Sequence, residues 1–187
     1  MSLVTPKGFL QARHYSTGRQ GRRPSLIVLH TMEAPESNGR AKQVATWFAG
    51  PTAPDSSSHY TVDNRDVWAC VREADTAWAV GEWERNTESI SIELAGYASQ
   101  NIGQWHDAYS AAELRLAAKL VVDIATRWRI PLRRVSPFDL HQGASGICGH
   151  VDITTAYKVP GGHTDPWPRF PWPEFMQLVI SAKGTTK

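Results

Sequence analysis

Cysteine is almost missing from this chain: Cys70 and Cys148 are the two in 187 residues. Neither belongs to a CxxC pair, which excludes both a disulfide framework and a local cysteine knuckle for metal. They read as two buried thiols, the usual fate of free cysteine, with a single bridge as the alternative. No run of about 18 apolar residues exists, so a membrane-spanning helix is excluded. The opening MSLVTPKGFLQARH lacks the sustained apolar core of a secretory leader. The expectation is a protein that stays cytoplasmic until something else releases it. Charge of one sign is lacking too. Lys and Arg total 20 against 18 Asp and Glu, a net charge of +2, which is no electrostatic footprint for nucleic acid. Repeats and low-complexity tracts are absent. With 41% hydrophobic residues, the length suits one domain with a proper core.

What is abundant is tryptophan, at eight residues. Trp47, Trp68, Trp78, Trp83, Trp105 and Trp128 suit a core, or flat faces along a cleft for sugars or peptide. On sequence alone both uses stay open.

Residues 1–24 are polar and basic and read as a solvated lead-in. SLIVLH (25–30) is a buried strand ending in His30. Residues 39–50 read as a helix with Ala41, Val44, Trp47 and Phe48 on one face, stopped by Gly50-Pro51. SHYTVD (58–63) and DVWACV (66–71) form a hairpin. Alternation there gives His59, Thr61 and Asp63 one polar face that can look into a cleft. Residues 73–87 read as loop. ESISIEL (88–94) is the clearest strand, with Ile90, Ile92 and Leu94 on one side and Ser89, Ser91 and Glu93 on the other. Residues 96–106 and 132–146 read as loops, the latter with Phe138 and a structural His141. The longest helix is placed at 110–130. Ser110 and Glu113 match a capping box, and Leu116, Ala117, Leu120, Val121, Ile124 and Trp128 form its stripe. A last helix covers 173–182. Strands separated by helices, with one hairpin, predict an α/β fold: a mixed central β-sheet flanked by helices, in a single domain over 25–183.

The stretch from Ile147 to Trp172 looks loop-like and holds His150, His163 and Asp165, none with an obvious structural task. Five prolines and two glycines in 160–173 keep that part out of helix and central strand. His30, His150 and Asp165 together are the ligand mix of a catalytic zinc site, which leaves a fourth position for water and lowers its pKa to about 7. Their dispersal along the chain is not a zinc-finger spacing. Glu93 inside an apolar strand is costly to bury unpaired. A salt bridge or a catalytic role would each account for it.

LIVLHT, SSSHYTVD, SISIELAGY, GHVDIT and GGHTDPWPRFPW, in that order, resemble the successive blocks of the zinc-dependent N-acetylmuramoyl-L-alanine amidases of the amidase-2 type. Phage lysins, peptidoglycan-recycling amidases and peptidoglycan recognition proteins share that superfamily. The likeness runs over roughly residues 25–173 and implies the family's fold. It implies that His30, His150 and Asp165 hold Zn2+ and that Glu93 is the general base. His163 stands where many members have a lysine that stabilises the oxyanion. His59 matches a histidine near the cleft, either supporting the site from behind or as a substrate contact. The implied partner is bacterial peptidoglycan, cut between N-acetylmuramic acid and the L-alanine of the stem peptide by a monomer. The implied role is a phage-type endolysin. The alternatives are a cytoplasmic muropeptide-recycling amidase and a recognition module without catalysis; the filled ligand and base positions argue against the last.

Overall fold

The computed structural model describes residues 2–184. Its frame is a six-stranded mixed sheet in the order β1-β5-β4-β7-β3-β8. The strands are β1 (Gly8–Phe9), β3 (Leu26–Thr31), β4 (Tyr60–Val62), β5 (Val67–Ala69), β7 (Ser89–Leu94) and β8 (Gly146–Gly149). A separate pair joins β2 (Tyr15–Ser16) to β6 (Thr76–Ala77). The helices are α1 (Arg40–Ala49), α2 (Trp83–Glu88), α3 (Ile102–Trp105), α4 (Ala108–Trp128), α5 (Pro137–His141), α6 (His150–Tyr157) and α7 (Trp172–Gly184). No described helix is long and apolar enough to cross a membrane.

Strand β3 is buried along its whole length and apolar up to His30 because it lies between two parallel partners, β7 and β8, in a sheet covered on both faces. One face, with Ile27, Leu29, Ile90, Ile92, Leu94 and Val62, packs against α4 and α7 in the largest core. The other is covered in two patches. Leu26, Val28 and Cys148 meet Leu140 of α5 and Ile153 of α6, while Cys70 meets Ala45 and Phe48 of α1. His30 and Glu93 stand on this second face and line an open cleft together with residues of α1.

The expected strand 25–30, hairpin, strand 88–94 and three long helices are all present, with ends moved by one or two residues. Several expectations fail. The lead-in 1–24 is not a solvated tail. Residues 8–9 add a strand beside β5, and residues 15–16 pair with β6. Arg19 is buried, donating to the Glu73, Thr87 and Ser89 carbonyls. Residues 73–87, 96–106 and 132–146 are not plain loops, for they hold β6, α2, α3 and α5. The capping box at Ser110 is misplaced by three residues. Asp107 caps α4 by accepting the Ser110 N–H. Of the six tryptophans offered as core, only Trp105 is fully enclosed; Trp47 and Trp83 are exposed. Both cysteines are free and buried.

Ser110 and Glu113 have other work. The Ser110 hydroxyl donates to Glu36, and Glu113 Oε1 accepts the Ala95 N–H while Oε2 has no partner. Burial pushes the Glu113 carboxyl well above the usual range, against the Ala95 N–H; the charges of Glu36, Asp63 and Asp107 add to the rise. Between the unfolded pKa near 4.3 and that raised value, the folded chain keeps a proton the unfolded chain has lost. Stability therefore falls as pH rises through this window. Glu113→Gln keeps an oxygen for Ala95 and removes the slope. Urea unfolding should find the variant ahead of the parent at neutral pH and level with it near about pH 4. Parallel profiles would show that Glu113 does not titrate in this way.

Candidate metal centre and cleft

Strands β3 and β8 run side by side, with Leu29 in register with Gly149. The next residues along, His30 and His150, are therefore delivered to the same edge of the sheet. His150 opens helix α6 rather than lying in a loop, and this is the main correction to the loop-like reading of 147–172. Past α6 the chain returns as a Pro/Gly-rich strap carrying Asp165. Gly149 lets it approach: a Cβ at that position would lie 2.8 Å from Pro166 Cδ. The strap is tied on both sides. Val151 N donates to the Asp165 carbonyl at 2.9 Å, and Thr31 N donates to Asp165 Oδ2 at 3.1 Å.

One ligand atom from each of His30, His150 and Asp165 lies within 4.8 Å of the others, and all three residues are buried. Asp165 Oδ2 is 3.5 Å from His30 Nδ1, and Oδ1 is 3.4 Å from His150 Nδ1. His30 Nε2 and His150 Nδ1 are buried without any hydrogen-bond partner. Buried polar atoms are rarely left so. One ring nitrogen of each histidine faces a carboxylate oxygen, and His150 Nδ1 has no hydrogen-bond partner there, a donor set that fits a divalent cation. The protonation states agree, since metal ligands must be deprotonated. Burial lowers the pKa of His30, which favours the neutral ring. For Asp165 burial works the other way, but the facing imidazoles of His150 and His30 outweigh it and hold the carboxylate charged.

Glu93 is the register partner of His30 on the parallel strand β7, so both side chains rise from one face of the sheet. It is half-buried, and no described residue donates a hydrogen bond to its carboxylate. Burial raises its pKa well above the ordinary carboxylate range, reinforced by the charges of Asp165 and Glu33. The salt bridge considered for it is not formed. His163 lies at the cleft mouth, its side chain 72% exposed and Nδ1 3.8 Å from Asp165 Oδ1.

His59 does not join them. It is wholly buried beneath the cleft, where Nδ1 accepts the Ser91 N–H and Nε2 lies 2.8 Å from Arg19 Nη2. Burial, helped by the Arg19 charge, brings its pKa down to about 3. Alternation placed His59 on the correct face. The N-terminal segment, read as a tail, covers that face with Arg19. A direct substrate contact by His59 is therefore excluded by its burial.

Arg134 is a contributor without a local signal. Arg134 pairs with Asp152 at 2.7 Å and lies 3.9 Å over the Trp172 ring, while Asp152 Oδ2 accepts the Gly149 N–H. This clamp fixes the start of α6 and hence His150. Trp47 and Trp78 line the cleft. Periodicity placed Trp47 on the inward face of α1, but Ala41, Ala45 and Phe48 fill that face and Trp47 is left half exposed.

Residues 20–168 match the sequence profile of the Amidase_2 family, described as N-acetylmuramoyl-L-alanine amidase. The N-acetylmuramoyl-L-alanine amidase AmiD of Escherichia coli (strain K12) is 25% identical over 192 residues, covering 96% of this chain. The chain spans 62% of the length of that relative. Among solved structures, a selenomethionine derivative of AmpD superposes with a TM-score of 0.68 at 21% identity, covering 94% of this chain and 96% of the other. The hydrolase AmiA of Staphylococcus aureus, in complex with its ligand, gives 0.65 at 16%, covering 96% and 84%. PlyL gives 0.63 at 16%, covering 94% and 97%. At such identities these likenesses establish the fold.

Proposed function

The chain belongs to the N-acetylmuramoyl-L-alanine amidase family, and on that premise we propose that it hydrolyses the amide between N-acetylmuramic acid and L-alanine in bacterial peptidoglycan, with zinc held by His30, His150 and Asp165. The observation that carries this reading is the meeting of two buried imidazoles with a charged carboxylate, His150 Nδ1 unpartnered among them, directly beside an unpaired glutamate. Bound zinc would act as a Lewis acid and lower the pKa of water. Glu93 would accept the proton of the attacking water and return it to the leaving nitrogen. Its unclaimed oxygens and high proton affinity suit that shuttle. His163, exposed at the mouth, would donate to the carbonyl oxygen as negative charge develops there. Trp47 and Trp78 offer flat apolar faces for the substrate along the cleft.

The test is zinc content together with dye release from labelled cell walls. Stoichiometric zinc without release would overturn the amidase reading and leave a recognition module. We place the activity on wall-linked peptidoglycan, as in an endolysin, because the cleft is open and flanked by tryptophan rather than closed around a small solute. Intact sacculi should then be cut faster than soluble anhydro-muropeptides; the reverse order would indicate a recycling enzyme. For His163, replacement by alanine should cost about 10²–10³ in kcat, and His163→Lys should restore most of it. A folded, zinc-loaded but inactive His163→Lys protein would assign that position a task only imidazole performs.

A further inference from the structure

Glu33 stands at the lip of the cleft, three residues past His30, and the chemistry above leaves it without a task. Its backbone is left-handed, with φ 48°. Of the other non-glycine residues in that conformation, Arg129 and Lys158 are the C-caps of α4 and α6, where it is an ordinary way to end a helix. Gln20 precedes Gly21 in a turn. Glu33 ends no helix. Such backbone strain persists where the surroundings enforce it, and it gathers at binding sites.

The surroundings here are specific. Glu33 Oε1 accepts two hydrogen bonds, from Thr31 Oγ1 at 2.6 Å and from Ala98 N at 2.7 Å. Oε2 receives none from the described residues. One oxygen is thus anchored to both neighbouring loops, and the other remains an open acceptor. Glu33 lines the cleft with His30, Glu93 and Asp165, and it also lines a second recess with Ala98, Gly162, His163 and Thr164. His163 lines the same recess, and its exposed imidazole offers a donor. An acceptor and a donor on one recess suit a trans amide, whose N–H and C=O point in opposite directions.

Resting on the amidase reading, we propose that Glu33 Oε2 accepts the N–H of the scissile amide while its carbonyl turns to His163, and that after cleavage the same carboxylate holds the new alanine ammonium. The bond broken is the amide C–N. The water oxygen joins the carbonyl carbon and a water proton goes to nitrogen. The freed α-amine, with a pKa of about 8, takes a further proton from solvent. A neutral N–H contact in the substrate becomes a charge-assisted pair in the product. Glu33 therefore orients the leaving group, selects substrates with an unsubstituted amide N–H, and makes the freed stem peptide an inhibitor.

The test is calorimetric binding to the zinc-loaded full chain of two probes: an L-Ala-D-isoGlu-L-Lys peptide with a free α-amine, and the same peptide N-acetylated. The free-amine peptide should bind about tenfold more tightly or better. Glu33→Gln keeps an oxygen for Thr31 and Ala98 but presents a donor where Oε2 stood, so it should bind both peptides alike. Its zinc content and melting temperature, equal to those of the parent, exclude misfolding as the cause. Persistent discrimination in Glu33→Gln would overturn the proposal. So would a parent that binds the two peptides equally, or binds neither. If the parent discriminates through Glu33 yet releases no dye from cell walls, the Glu33 site stands and the amidase reading falls.

Discussion

With Glu93 replaced by alanine, the protein should keep its zinc and lose roughly 10²–10⁴-fold in amide hydrolysis. The separation of the two effects follows from the sheet. Glu93 and His30 are register neighbours on parallel strands, close enough to serve one reaction. Glu93 is nevertheless outside the buried group of His30, His150 and Asp165. No described residue donates a hydrogen bond to its carboxylate, so truncation strands no buried donor and should leave the fold intact. The raised proton affinity that burial gives this carboxylate is the property a base needs to take a proton near neutrality. Glu93→Gln, which keeps the shape and removes the basicity, should be as impaired as the alanine variant. Activity near that of the parent in either variant, at equal zinc content, would remove Glu93 from the mechanism.

Asp165→Ala should have the opposite signature, with zinc lost first and activity lost as a result. Asp165 lies between the two imidazoles, 3.5 Å from His30 and 3.4 Å from His150. It supplies the negative charge in a ligand set that is otherwise neutral. Its loss also leaves the buried Thr31 N–H without its acceptor, a penalty of about 1–3 kcal/mol. Because a metal that binds the folded state stabilises it in proportion to affinity, zinc should raise the melting temperature of the parent strongly and that of Asp165→Ala hardly at all. Unchanged metal content after dialysis against a mild chelator would reject Asp165 as a ligand.

The parts of this molecule that could be read in the sequence are those in which a pattern persists over several residues. SLIVLH and ESISIEL declared two adjacent central strands. The six-residue stripe ending at Trp128 declared α4, although Leu116 and Trp128 lie at its partly exposed margin. The short elements carry no period. The four residues of α3 and the five of α5 exist because Asn101 with Gln104, and Ser136 with Asp139, form reciprocal caps. Strand β8 is four residues, two of them glycine, and is recognisable as a strand only beside β3. The same distinction holds at the site. His30 and Glu93 were visible because each is the one titratable residue of its strand. His59 was visible for a similar reason, yet Arg19, forty residues upstream, closes over it. Glu33 has its distinction in backbone conformation and in a contact with Ala98, and neither leaves a trace in residue type.

The two free cysteines give the protein a pair of built-in clocks. Cys70 lies under α1, and Cys148 lies in β8, two residues before His150. Burial pushes the Cys70 thiol up to about 12 and that of Cys148 higher still, so neither supplies thiolate while the structure is closed. Alkylation of each must wait for its own patch to open, and mass spectrometry can time the two separately. If His150 holds a metal as proposed, chelation should hasten labelling of Cys148, whose strand runs directly into that histidine. Cys70 should keep the slower pace of the whole fold.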